Sequence, residues 1–205
     1  MKNVIEITKK SYNKIAKTFA KENFDKPIEP LLKKFLSFLP KNSEVLDVGC
    51  GPGRDVKYFI DHGMNATGTD YSTGMIREAR KRVPKGKFVI TDSRNLKFKA
   101  NSFDGLWTMS SINFLPKKYT NKVLKEFRRV LKPDGILFIS VPEGKEEGIF
   151  KMYNKPVFST DFRLSEIKNL LIKNGFKIIE AKAGIAKKGR AKGVKFVTVF
   201  AEVKK

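Results

Sequence analysis

At 205 residues the chain is long enough to bury one full core. Its 40% apolar and 31% charged residues exclude the disordered class, and no apolar run reaches the ~20 residues of a membrane span. The one cysteine, Cys50, excludes an intrachain disulfide and a cysteine-bound metal cluster; 43 Lys and Arg against 21 Asp and Glu, net +22, leave open a polyanionic partner such as RNA or a solvated lysine-rich surface.

Residues 3–39 read as helical in two pieces. Tyr12, Ile15, Ala16 and Phe19 recur at helical spacing and form one apolar face. Pro27 and Pro30 interrupt it, and Leu31, Leu32, Phe35, Leu36 and Leu39 form a second face. The opening M-K-N-V-I-E-I-T-K-K has no apolar leader, so a cytoplasmic protein is expected. Residues 45–55, V-L-D-V-G-C-G-P-G-R-D, follow: an apolar run, an acid, and glycines at every second position, Gly49, Gly51 and Gly53. This is the pattern of a buried strand, a tight turn and a helix start. Glycines there let the backbone approach a ligand, and the helix start offers unpaired N–H groups to it. Cys50, between two turn glycines, reads as a small apolar side chain rather than a nucleophile.

A helix over 54–61 stops at Gly63. That places His62, the only histidine, at a helix C-terminus, where a cation suits the dipole better than a catalytic base would. A second strand, 65–69, ends at Asp70, and Ser72 is a candidate N-cap for the next helix. A third, 87–91, leads into Asp92 and Ser93. A fourth, 102–109, puts Met109, Ser110 and Asn113 at its carboxyl end, where ligands bind in open α/β sheets. A helix over 117–131 meets a fifth strand, 136–141, through K-P-D-G. Residues 142–161 read as a long connection carrying Phe150, Met152, Tyr153 and Phe158, which argues for a lid. A helix over 164–174 ends at Gly175. Two strands, 176–181 and 194–203, flank a basic segment whose densest patch is Lys182, Lys187, Lys188, Arg190, Lys192 and Lys195. No repeat or second domain is visible, so a single domain over 1–205 is expected.

The glycine turn discriminates between ligands. Dinucleotide binders use Gly-x-Gly-x-x-Gly, which would put a glycine at position 54; this chain has Arg54 there and the glycine at Gly53. Asp47 at the strand end would repel a pyrophosphate and suits a ligand carrying an ammonium and a sulfonium. D-V-G-C-G-P-G resembles motif I of the class I S-adenosylmethionine-dependent methyltransferases, and T-G-T-D-Y-S, L-K-P-D-G and Y-N-K-I-A-K-T-F extend the resemblance over nearly the whole chain.

The resemblance implies a Rossmann-like α/β/α sandwich: a seven-stranded, mostly parallel sheet with an antiparallel last strand. It implies S-adenosylmethionine as cofactor, with Gly49, Gly51 and Gly53 beside it, Asp47 toward the methionyl end and Asp70 on the ribose. Tyr71 would pack on the adenine, Asp92 accept from its amine, and Ser93 offer a backbone N–H. Met75 and Met109 are further candidates, Met75 being alternatively core. Tyr12 either lines the pocket or only packs. Residues 1–40 would form a helical cap and 142–161 the acceptor-site lid. The expected reaction is methyl transfer to a small-molecule acceptor, with no catalytic residue identifiable. An RNA methyltransferase and a non-catalytic cofactor-binding regulator remain as alternatives.

Overall fold

The computed structural model describes residues 3–26, 28–185 and 193–204. In chain order the elements are α1 (Val4–Asn23), α2 (Glu29–Leu36), β1 (Glu44–Val48), α3 (Arg54–Asp61), β2 (Asn65–Asp70), α4 (Thr73–Arg82), β3 (Lys87–Ile90) and β4 (Phe103–Met109). Two short 3₁₀ turns then lead to α5 (Thr120–Val130), β5 (Leu131–Pro142), β6 (Glu147–Met152), β7 (Lys155–Thr160), α6 (Leu164–Lys173), β8 (Phe176–Ile185) and β9 (Lys195–Val203). Pro27 and four residues of the basic patch, Lys187, Lys188, Arg190 and Lys192, lie outside the described residues. No helix among the described residues is long and apolar enough to cross a membrane.

Seven strands form one sheet in the order β3-β2-β1-β4-β5-β9-β8. The first five run parallel, and β9 lies antiparallel between β5 and β8. The antiparallel strand is therefore last in the chain but not at the sheet edge. Alternation along the strands produces the layers. Leu46, Val48, Leu106, Leu137, Ile139, Val199 and Ala201 face α5 and α6 and pack with Val123, Phe127, Ile167 and Leu171. Their neighbours Val45, Trp107, Ile136, Phe138 and Phe200 face the other way, against Leu32, Phe35, Val56, Phe59 and Ile76 of α2, α3 and α4. Trp107 stacks on Phe138 with ring centroids 3.8 Å apart and meets Phe35 and Phe59 edge-on.

Two elements depart from the expectation. The fifth strand begins at Leu131, so K-P-D-G lies in its irregular start, with Asp134 at φ 61°. The 142–161 connection is not an irregular loop: β6 and β7 form a hairpin of their own. Met152 pairs with Lys155, leaving Tyr153 and Asn154 as a two-residue turn with φ of 48° and 57°. Positive φ at both positions is the hairpin-forming geometry normally announced by Asn-Gly. Tyr-Asn carries that signal weakly, which is why the alternation on either side reads as loop.

The hairpin packs on α1. Ser11 Oγ donates to the Pro156 carbonyl at 2.6 Å, Phe158 N–H donates to Thr8 Oγ1 at 2.9 Å, and the Tyr12 hydroxyl reaches Met152 Sδ at 3.4 Å. The other side of α1 is tied to α4. Asn13 Oδ1 accepts from Ser72 Oγ (2.7 Å), Thr73 Oγ1 (3.2 Å) and Gly74 N–H (2.9 Å). Ser72 Oγ in turn accepts from Met75 N–H as the N-cap of α4. The helices come so close that a Cβ on Gly74 would lie 2.8 Å from the Asn13 carbonyl oxygen. Asn13→Ala removes the acceptor shared by these three donors. The loss should cost about 1–2 kcal/mol and lower the Tm by roughly 2–8 °C, measurable by circular dichroism melting. An unchanged Tm would show that α1 is held by its apolar contacts alone.

Candidate functional site

A cavity of about 1730 Å³ opens at the carboxyl ends of β1, β2 and β4, roofed by α1 and the β6–β7 hairpin. Of the residues proposed from sequence, Tyr12, Asp47, Gly49, Gly51, Asp70, Tyr71, Met75, Asp92, Ser93 and Met109 all line it, as do Ser110 and Asn113. Gly53 is not among the lining residues; it precedes α3, where an added Cβ would sit 3.0 Å from the Phe88 ring. His62 lies at the C-terminus of α3, exposed and stacked on Tyr58, away from the cavity.

The turn after β1 forms the cavity floor. Gly49 and Cys50 both donate their N–H to the Thr69 carbonyl, at 2.7 and 2.9 Å, which ties the turn to β2. Gly49 has φ 80°, and a Cβ there would meet Ser111 Oγ at 2.1 Å, so both backbone conformation and close approach require glycine. Gly51 has φ 52° and open space where a Cβ would stand: the nearest atom, on Phe19, is 3.9 Å away. Its N–H points at Asp70 and donates to Oδ2 at 3.0 Å, while Ser72 N–H donates to Oδ1 at 2.8 Å.

Asp47 is 2% exposed, and its Oδ2 has no hydrogen-bond partner among the described residues. Burial pushes its carboxyl well above the usual range; Asp55 adds to the rise and Arg54 opposes it. Burial also raises Asp70, to about 6, against the lowering by the backbone N–H groups of Ser72, Gly51 and Tyr71. Below them, Asp55 accepts two bonds from the Arg54 guanidinium, at 2.6 and 2.8 Å, and one from the Trp107 indole N–H at 3.0 Å. This pair, immediately after the glycine turn, holds the floor rigid and was not singled out from the sequence, although its R-D lies inside the motif.

Around the rim, the Tyr71 hydroxyl donates to Glu6 at 2.7 Å, and the Lys9 ammonium sits 4.0 Å from the ring centroid. Asp92 accepts from Arg94 Nε and Nη2. Partial burial would raise Asp92, but the side-chain and backbone hydrogen bonds from Arg94 outweigh it and hold the carboxyl low. Met75 is 1% exposed, packs with Ile15 and Ala16 of α1, and lines the cavity. Tyr12 likewise lines the cavity while packing edge-on against Phe19 and Phe114. The far wall was not foreseen. It is built from Ser140 on β5, Ser159 and Asp161 from the hairpin, and Phe196 and Thr198 on β9.

Residues 46–139 match the protein family described as Methyltransferase domain. Over 109 residues, 51% of this chain, the sequence is 36% identical to the 2-methyl-6-phytyl-1,4-hydroquinone methyltransferase of Synechocystis sp., covering 34% of that protein. The chain spans 34% to 50% of the length of such curated relatives. Among solved structures, a SAM-dependent methyltransferase from Methanosarcina mazei superposes with a TM-score of 0.77 at 19% identity, over 85% of this chain and 97% of that one. The 1,6-didemethyltoxoflavin-N1-methyltransferase of Burkholderia thailandensis superposes with a TM-score of 0.73 at 21% identity, over 96% and 85% respectively. At these identities the structural likeness is one of fold.

The raised carboxyl of Asp70 has a consequence for stability. In the folded chain Asp70 keeps its proton up to about 6, whereas in the unfolded chain it loses it near 3.9. Its favourable contribution is therefore complete below the unfolded value and lost as pH rises through the folded value. Asp70→Asn cannot ionise, so its Tm relative to the native chain should rise between about pH 4 and pH 7. A Tm difference that stays flat over this interval would contradict the burial of Asp70.

Proposed function

We propose that this chain is a class I S-adenosylmethionine-dependent methyltransferase, as its family match and fold support, and that it transfers a methyl group from that cofactor to a small-molecule acceptor. The observation that carries the reading is that buried Asp47 and half-buried Asp70 line one cavity with Gly51, whose N–H donates to Asp70. The residues fit the cofactor. The orphaned Asp47 oxygen suits its ammonium end, and the backbone-anchored Asp70 carboxylate suits the two ribose hydroxyls. Tyr71, Met75, Asp92 and the Ser93 backbone would enclose the adenine, with Tyr12 and Met109 on the walls. When bound, S-adenosylmethionine supplies a methyl group already activated on a sulfonium.

The chain's own part is alignment and exclusion of water. Asp47 would hold the methionyl end of the cofactor and Asp70 its ribose. The helical cap of residues 1–40 and the lid of 142–161, here a hairpin, close over the acceptor side. No side chain is required to act as general base unless the acceptor atom holds its proton at neutral pH. Space for a second molecule supports transfer over storage: the cavity, at about 1730 Å³, exceeds the ~300–1,000 Å³ of a single-ligand pocket. The names of the curated relatives, methyltransferases of a hydroquinone, of trans-aconitate and of demethylmenaquinone, favour a small acceptor. The net charge of +22 favours RNA as the second reading. Carboxylates outnumber cations among the described residues lining the cavity, which disfavours a polyanion there.

Titration calorimetry should detect S-adenosylmethionine and its demethylated product, S-adenosylhomocysteine, and no NAD. Asp70→Ala should weaken both by roughly 2–3 kcal/mol while the fold survives, because it strands two hydroxyl donors. NAD binding without a response to S-adenosylmethionine would sink the reading. Unchanged affinity in a normally melting Asp70→Ala would sink the ribose assignment alone.

A further inference from the structure

The far wall of the cavity carries polar atoms that the cofactor contacts do not use. Asn113, in the turn after β4, is 2% exposed; its Nδ2 donates to Ser159 Oγ at 3.2 Å, and its Oδ1 has no partner among the described residues. Ser140, on β5 beside Met109, is 1% exposed, and its Oγ is likewise unpartnered. Both line the cavity. Ser159 and Asp161 stand two residues apart at the end of the hairpin, so they share the face that looks inward, with Val157 beside them.

The Asp161 carboxylate is built into this wall. Its backbone N–H donates to the Glu146 carbonyl at 2.7 Å, and its Oδ2 occupies the space a side chain on Gly144 would take: a Cβ there would lie 2.4 Å from that oxygen. Of the cations at this end, Lys117 acts on Asp161 but is paired with Glu166 at 3.0 Å, and Lys151 and Lys182 line the cavity from its exposed rim. Lys151 is exposed, and the Lys182 side chain is 58% exposed beside Glu180. The inward-facing groups of the wall are thus an amide oxygen, two hydroxyls and a carboxylate, a set in which acceptors predominate. Burying such a set is costly unless a ligand brings donors and positive charge.

We infer that Asn113, Ser140, Ser159 and Asp161 form the acceptor subsite, and that it takes a small molecule presenting a protonated amine rather than a carboxylate or a phosphate. This deepens the methyltransferase reading and rests on it for the word acceptor, but the subsite can be tested by binding alone.

The test titrates phenethylamine and tyramine, and as scaffold-matched acids phenylacetate and para-hydroxyphenylacetate, onto the full chain by calorimetry, free and saturated with S-adenosylhomocysteine. The amines should bind and the acids should not. Asp161→Asn should weaken amine binding by roughly tenfold or more while leaving S-adenosylhomocysteine affinity and Tm unchanged. Asn113→Leu should weaken it as well, and Lys182→Ala should not. Amines that fail to bind, acids that bind equally well, or an Asp161→Asn variant that binds amines as before would each overturn the inference. A chain that binds the amines but not S-adenosylhomocysteine would leave the subsite standing and remove the methyltransferase reading instead.

Discussion

The burial of charge at the ends of two neighbouring parallel strands governs this site. β1 and β2 run side by side, each with an aspartate at its carboxyl end, Asp47 buried and Asp70 half-buried, and burial raises both carboxyls. An ionised carboxylate in such a place needs donors or a counter-charge. Asp70 receives donors from the backbone: the φ of 52° at Gly51 turns that N–H toward it, and the start of α4 supplies the Ser72 N–H. Asp55 receives a guanidinium and an indole N–H. Asp47 feels the Arg54 charge but keeps one oxygen without a hydrogen-bond donor among the described residues. The glycine spacing, the capping of α4 and the clamp of Asn13 on that cap are successive parts of one solution, with Asp47 as the member left for a ligand to complete.

Much of this was legible in the residues, and the limits are physical. Strands of the parallel half announce themselves as apolar runs ending at an acid or a glycine, and β1, β2, β3 and β4 lie within a residue or so of where the pattern puts them. Ser72 as N-cap and His62 as C-cap follow from local chemistry and are found in those roles. The hairpin escaped because its turn residues are Tyr153 and Asn154, which adopt positive φ without the usual glycine. The far wall escaped for another reason. Ser140, Ser159 and Thr198 are unremarkable strand residues, and only the register of β5 against β9 and the folding back of the hairpin bring them to one cavity. Asn13 escaped in the same way: its partners lie some 60 positions downstream.

Net charge and local charge point in opposite directions in this chain. The chain has an excess of lysine, while the cavity gathers Asp25, Asp47, Asp55, Asp70, Asp92 and Asp161. A basic exterior raises the local concentration of anions generally, but an acidic interior decides what is retained. Composition alone leaves a polyanionic partner and a solvated lysine-rich surface open, whereas the cavity itself is lined by six aspartates.

The cap joins parts of the chain made far apart in time. Ser11 bonds the Pro156 carbonyl across 145 positions, and Thr8 accepts from Phe158 across 150. At a translation rate of ~5–20 residues per second, α1 leaves the ribosome roughly 7–30 seconds before its hairpin partner exists. Over that interval the amphipathic face of α1, with Tyr12, Ile15 and Phe19, has partners in α4 and in Phe114 but not yet in the hairpin. The roof of the cavity therefore depends on contacts that can form only once β7 has been made.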